Sequence, residues 1–79
     1  MSINQTIQDI IIEKITDAQV TVNNTGQGHF SLVVITPEFI EKNMLARHKL
    51  VMSAIAPLMS GPNAPVHAID NLITMLPTP

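Results

Sequence analysis

The chain has 79 residues, of which 46% are hydrophobic and 13% are charged, and its formal net charge is −2. A chain of this length supports one hydrophobic core, so we expect a single domain over residues 1–79. The sequence contains no Cys, which excludes disulfides and thiolate nucleophiles and leaves His, Asp and Glu as its own metal ligands. The negative net charge argues against unspecific attraction to nucleic-acid phosphates.

The apolar segments are too short to span a membrane. They are only a few residues long, for example Ile10–Ile12 and Leu32–Ile35, whereas a membrane-spanning helix needs about 20 apolar residues. The first residues, Met1–Gln5, do not place a basic segment before an apolar one, which is the pattern of an export signal. The sequence therefore predicts a cytoplasmic protein without a membrane span.

The first two predicted elements are an amphipathic helix and a strand. The helix has apolar residues at helical spacing, namely Ile3, Ile7, Ile10, Ile11 and Ile15. Ser2, followed three residues later by Gln5, fits a capping box at its start. From Ala18 to Val22 apolar and polar residues alternate, which predicts a strand with one face in solvent.

A hairpin is predicted next. Asn23–Gly28 is rich in residues that tolerate left-handed backbone and contains no apolar anchor, so we expect an exposed hairpin loop. His29–Thr36 follows as a strand with apolar residues on both faces near its end. This pattern is typical of a central strand that is covered on both sides.

The middle of the chain predicts a short helical turn and a longer helix. Thr36 and Pro37 fit the N-cap and first position of a turn that carries Phe39 and Ile40 inward. Asn43 fits the N-cap of the second helix. Its predicted stripe toward the sheet comprises Leu45, His48, Val51 or Met52, Ile55, and Leu58 or Met59.

The last element is predicted to be a third strand. Ser60–Asn63 ends the second helix, and Val66–Met75 has strand character, although Asp70 and Asn71 interrupt its apolar pattern. The order helix, strand, strand, helix, strand predicts an α+β fold. We expect a three-stranded mixed sheet with the helices on one face and a right-handed crossover into the third strand.

Several segments in order along the chain resemble the BolA-like family. They are His29–Thr36, Phe39, Arg47–Val51 and Val66–Ile69. The best signature is Arg47-His48-Lys49-x-Val51, followed about twenty residues later by Val66-His67-Ala68. The resemblance runs from Ile3 to Ala68, and it implies a fold similar to a type II K-homology domain. One departure is the loop after Phe39, where the family commonly carries Gly and this chain has Glu41–Asn43.

The resemblance implies a non-enzymatic adaptor that binds a monothiol glutaredoxin. Such pairs share a [2Fe–2S] cluster with glutathione, and the free chain is expected to be a monomer or a weak homodimer. The family strand histidine matches His67, our leading metal ligand. The second ligand in relatives comes from the first hairpin loop, where His29 is the candidate; it is equally well explained as a residue at the edge of the strand.

The second predicted helix carries three further candidate residues, His48, Arg47 and Lys49. His48 lies on the apolar stripe, and we expect it to be a packing residue hydrogen-bonded to backbone rather than a ligand. Arg47 and Lys49 lie on more polar faces and are candidates to bind glutathione carboxylates or an acidic partner surface, although a solvated helix face is the commoner explanation.

Nucleic-acid binding and catalysis are the two alternative functions. Some members of the family regulate transcription, and a K-homology-like fold suits nucleic acid, DNA included. However, Gly26-Gln27-Gly28 has the wrong spacing for the Gly-x-x-Gly clamp of that class. An enzyme needs a nucleophile with its base, or paired acids, in a cleft. The sequence offers neither, which makes catalysis the weakest of the three hypotheses.

Overall fold

The computed structural model describes residues 2–78. The chain folds into helix α1 (Ile3–Lys14), strands β1 (Gln19–Gly26) and β2 (His29–Ile35), helix α2 (Met44–Ile55) and strand β3 (Ala68–Met75). Two 3₁₀ turns, Pro37–Phe39 and Ala56–Leu58, flank α2. The predicted α+β fold and its element order are confirmed.

The three strands form one mixed sheet in the order β1-β2-β3. β2 is antiparallel to β1 and parallel to β3, which places it in the centre as predicted. Its buried residues are Phe30, Leu32 and Val34. They form one core with residues of both helices, among them Ile7, Ile11, Val51 and Ile55.

The opposite face of the sheet is open. Ser31, Val33 and Ile35 alternate with the buried residues of β2 and remain partly exposed. The expectation that this strand is covered on both sides was therefore wrong. The apolar residues near its end misled the prediction, because both helices pack on the same face.

Side chains cap the helices largely as predicted. The Ser2 hydroxyl accepts a hydrogen bond from the Gln5 amide at 3.1 Å, and Asn43 Oδ1 accepts one from the Ala46 amide at 2.9 Å. The side chain of Gln5 donates to Asp9 at 2.7 Å. The side chain of Gln5 therefore bonds within the helix instead of to the backbone amide of Ser2. Only one of the two hydrogen bonds of a capping box is formed.

Helix α2 ends earlier than its apolar pattern predicts. The α-helix stops at Ile55 and continues as the 3₁₀ turn that contains Pro57, because proline has no amide hydrogen to donate to the carbonyl four residues earlier. At the other end, Leu45 is 63% exposed. Its assignment to the stripe that faces the sheet was wrong.

The turn after β2 has the predicted cap but only one of its two predicted anchors. Thr36 accepts from the Glu38 amide at 3.1 Å and donates to the Thr16 carbonyl at 2.7 Å. Phe39 is fully buried, whereas Ile40 is 65% exposed. The 3₁₀ turn ends at Phe39, so Ile40 points away from the core, contrary to the prediction.

The first hairpin is tighter than predicted. Pairing of β1 with β2 extends to Gly26 and His29, which leaves only Gln27 and Gly28 in the turn. Gly28 has φ +73°, a conformation that glycine adopts readily and that permits such a short connection. The six-residue loop expected over Asn23–Gly28 was therefore wrong.

Within residues 2–78, neither helix is long and apolar enough to cross a membrane.

Candidate functional site

Two histidines meet at one end of the sheet. His29 is the first residue of β2 and pairs with Ala68, the first residue of β3, so His67 lies immediately beside it. The two imidazole ring centroids are 5.5 Å apart and the ring planes are inclined by 55°. The side chain of His29 is 40% exposed, and His67 is exposed. Both rings are therefore accessible from solvent.

Gly28 fixes the position of His67. Its carbonyl oxygen accepts hydrogen bonds from the amides of His67 at 2.8 Å and Ala68 at 3.0 Å. A Cβ atom at Gly28 would lie 3.0 Å from the Cβ of His67, a separation that requires one of the two segments to move. The hairpin turn and the start of β3 are thus held together by a contact that needs glycine.

Two irregularities in strand pairing flank the start of β2. In β1, Asn24 pairs with Phe30 and Gly26 with His29, so Thr25 is an extra residue. In β3 the register shifts between the partners of Phe30 and Ser31, and Asp70 is the extra residue. Bulges of this kind re-aim side chains next to functional sites. The interruption of the apolar pattern at Asp70 is therefore a bulge in β3.

The two extra residues bond to each other and to His29. The hydroxyl of Thr25 donates to Asp70 Oδ2 at 2.7 Å, and Asp70 Oδ1 lies 2.9 Å from Nδ1 of His29. The hydrogen bond with His29, together with the one from Thr25, holds the pKa of Asp70 below its usual value. Its carboxyl group is consequently ionised at neutral pH.

The site by itself offers two metal ligands. Among residues 2–78 no group of three or more His, Cys, Asp or Glu is arranged to hold an ion. A metal bound tetrahedrally to two imidazole nitrogens at about 2 Å would place the ring centroids about 5 Å apart. The observed 5.5 Å is close to that separation.

His48 lies on α2 and takes no part in the contact between the two histidine rings. It is partly buried, and its Nε2 atom is buried without a hydrogen-bond partner in the described part of the chain. Together with Met52 and residues 69–72 it lines a groove of about 420 Å³ between α2 and β3. The packing role expected for His48 agrees with this position, but the expected hydrogen bond to backbone is not found at Nε2.

Arg47 lies far from the two histidines. Its Nε donates to the Lys42 carbonyl at 2.9 Å, and its guanidinium carbon is 5.6 Å from the Phe39 ring centroid. Phe39 follows the end of β2, whereas His29 begins it, and a seven-residue strand is about 20 Å long. Lys49 is exposed on α2. The structure thus unites His29 and His67 and does not bring Arg47 to them.

Sequence reasoning did not identify three residues of this site. The sequence places Gly28 only in the predicted exposed hairpin loop, and it indicates no functional role for Thr25 or Asp70. The one available signal was the interruption of the apolar pattern at Asp70 and Asn71. An acid within an otherwise apolar strand is typical of a bulge or an edge position, but only strand pairing shows which residue it faces.

Fold and site together define the class: a small α+β domain with an exposed histidine pair and no cysteine. The family model described as BolA-like protein matches residues 3–75. The chain therefore belongs to the BolA-like family, and the match extends beyond Ala68, where the resemblance recognised in the sequence ended.

Solved structures agree with this assignment. A BolA protein homologue from Coxiella burnetii is 29% identical, with a TM-score of 0.78 over 98% of this chain and 94% of the other. A bol-like protein from Babesia bovis is 26% identical, with a TM-score of 0.73 over 98% and 87% of the two chains. BolA1 from Arabidopsis thaliana shares the fold, with a TM-score of 0.82 over 100% and 99% of the two chains at 14% identity. Among curated proteins no sequence matches this chain.

Proposed function

We propose that this chain is a non-enzymatic adaptor that binds a monothiol glutaredoxin and shares a [2Fe–2S] cluster with it. The observation that carries the proposal is the exposed pair of His29 and His67, with ring centroids 5.5 Å apart. Two neutral imidazoles at this spacing suit one iron of a cluster. In this proposal the cluster is shared cargo, and the two chains hold it jointly.

The absence of Cys from the sequence determines what the partner contributes. Thiolates are the usual ligands of iron–sulfur clusters, so the second iron would be held by a glutaredoxin cysteine and a glutathione thiolate. Replacing two thiolates by two histidines raises the reduction potential of a [2Fe–2S] centre, as in Rieske proteins. The adaptor would therefore alter the redox properties of the cluster as well as its binding.

The two basic residues of α2 take different parts in this proposal. Lys49 is exposed and free to meet an acidic partner surface or a glutathione carboxylate. Arg47 bonds to the Lys42 carbonyl and lies over Phe39, which supports a role in holding the loop before α2. Because glutathione and thiolate ligands require a reducing compartment, we place the adaptor in the cytoplasm.

The test mixes the purified chain with a cluster-loaded monothiol glutaredoxin and glutathione. Size exclusion measures formation of the heterodimer, and visible circular dichroism measures the environment of the cluster. The wild type is compared with His67→Ala and His29→Ala. Gln27→Ala, an exposed substitution in the adjacent turn, serves as the matched control.

We expect a heterodimer with altered cluster bands for the wild type and for Gln27→Ala. Each histidine variant should lose the altered bands, because one imidazole ligand is gone. Bands that persist in both histidine variants would show that other groups hold the cluster. If the wild type forms no complex with a matched glutaredoxin, the proposal fails and nucleic-acid binding becomes the hypothesis to test.

A further inference from the structure

We infer that Asp70, itself held by Thr25, is a positioning residue that fixes the proton of His29 on Nδ1 and leaves Nε2 as the ligand atom. The orientation of His29 stands on the geometry of the described residues alone. Its use in binding a cluster rests on the proposed function.

The bulge in β3 is what brings Asp70 to this place. Ile69 pairs with Phe30 and Leu72 with Leu32, and both pack against the core. In a regular strand, residues three apart point to opposite faces. The extra residue allows Ile69 and Leu72 to share the core face, and Asp70 emerges beside His29.

The bulge in β1 supplies the second half of the arrangement. Thr25 has no partner in β2, and its hydroxyl donates to the outer carboxylate oxygen of Asp70 at 2.7 Å. This bond links the two outer strands across the start of the central one. It holds the carboxylate so that Oδ1 remains directed at His29, at 2.9 Å from Nδ1.

The chemistry of the pair determines the tautomer. An ionised carboxylate only accepts hydrogen bonds, so Nδ1 of His29 must be the donor. A neutral imidazole has one N–H group, which leaves Nε2 with a free lone pair. Histidines that bind metals commonly donate their other N–H to a carboxylate, and loss of that partner typically lowers metal affinity about 10–100-fold.

The first experiment needs no partner protein. Long-range ¹H–¹⁵N NMR of the imidazole rings, recorded on the full chain at mildly alkaline pH, reports the tautomer of each histidine. We expect His29 to carry its proton on Nδ1 in the wild type. Asp70→Ala and Thr25→Val should shift it toward the Nε2–H form, with the larger change in Asp70→Ala.

Matched controls separate this effect from general disturbance. Asp9→Ala removes an exposed carboxylate from α1, and Thr21→Val removes an exposed hydroxyl from β1; neither should change His29. The ring of His48 is an internal reference in every sample. A wild-type His29 with its proton on Nε2, or an unchanged tautomer in both variants, would overturn the inference. If Asp70→Ala does not fold, Thr25→Val still decides between these outcomes.

A second experiment tests the ligand atom with Zn²⁺ alone as the probe. Zn²⁺ is titrated into the free chain while the ring signals of His29 and His67 are followed. We expect binding at Nε2 of His29, and an affinity reduced at least tenfold in Asp70→Ala but unchanged in Asp9→Ala. Equal affinities in the wild type and Asp70→Ala would refute the positioning role.

The two proposals fail in different ways. A wild-type chain that has the Nδ1–H tautomer and binds Zn²⁺, but forms no complex with a cluster-loaded glutaredoxin, refutes the proposed function and leaves the role of Asp70 standing. A complex whose cluster depends on His29 but not on Asp70 refutes the positioning role alone.

Discussion

Gly28 and His67 are joined more closely than any sequence pattern indicates. The Gly28 carbonyl accepts the amide of His67 at 2.8 Å, and the space where Gly28 would carry a Cβ is limited by the Cβ of His67 at 3.0 Å. The hairpin turn of β1 and β2 thereby sets the position of the residue that precedes β3. This contact keeps the imidazole of His67 beside that of His29.

Gly28→Ala should damage both stability and the site. The φ of +73° is unfavourable for alanine by about 1–2 kcal/mol, and the close contact with His67 adds to that cost. Gly61→Ala is the matched control, because Gly61 has φ +89° with no atom within 4 Å of its Cβ position. We expect urea unfolding to show a larger loss for Gly28→Ala, and only this variant to weaken cluster binding. Equal losses of stability would show that the contact with His67 has no cost.

The ionisation of Asp70 should depend on its two partners. His29→Ala should raise the pKa of Asp70 toward its usual value, and Thr25→Val should raise it less, since the hydrogen bond with His29 is the larger cause of the lowering. Carboxyl ¹³C NMR during an acid titration measures these values. A pKa of Asp70 that is the same in the wild type and His29→Ala would contradict the expected coupling.

The same lowering has a consequence for acid stability. Because the folded-state pKa of Asp70 is below the unfolded value, its contribution is fully present above the unfolded pKa and is lost as the pH falls through the folded pKa. Asp70→Asn should therefore make the free energy of unfolding less dependent on pH in the acid range below about pH 4. Asp9→Asn provides a control. If the free energy of unfolding changes with pH in the same way in the wild type and in Asp70→Asn, the ionisation of Asp70 does not contribute to acid stability.

Glu41 occupies a backbone conformation that favours glycine. Its φ is +63°, and it lies in the loop after Phe39 where the BolA-like family commonly carries a Gly. We expect Glu41→Gly to raise the free energy of unfolding by about 1 kcal/mol, because the strain of left-handed backbone is relieved. Glu13→Gly, inside α1, should instead destabilise by about 1 kcal/mol. Urea denaturation measures both changes, and destabilisation by Glu41→Gly would mean that its side chain makes a compensating contact.

Substitution of Arg47 should reduce stability, whereas substitution of Lys49 should reduce partner binding. Arg47→Ala removes the bond to the Lys42 carbonyl and the contact with the Phe39 ring, which we expect to cost about 1–2 kcal/mol. Lys49→Ala should change stability by less than about 0.5 kcal/mol and weaken the glutaredoxin heterodimer a few-fold. Thermal unfolding measures the change in stability, and titration calorimetry measures the affinity for the glutaredoxin. A Lys49→Ala variant that loses stability and keeps its affinity would contradict the surface role of Lys49.

Local patterns in the sequence predicted most of the fold. Three kinds of local signal were confirmed: the isoleucine spacing of α1, the alternation in β1, and the caps Thr36 and Asn43. Each depends only on a residue and its near neighbours in the chain. The errors occurred where local signals competed. Leu45 and Ile40 are apolar but lie at the ends of their elements, and the prediction of α2 neglected Pro57.

The sequence by itself determined the class of fold, its family resemblance and the two histidines, since hydrophobic periodicity and short motifs are local properties. Tertiary structure alone decided that His29 and His67 are adjacent and that Asp70 and Thr25 face His29. Residues 25–29 and 67–70 are separated by some forty positions, and their juxtaposition follows from parallel pairing of β2 with β3. A bulge changes which face a side chain occupies by adding a single residue, and only the partner strand defines which residue is extra.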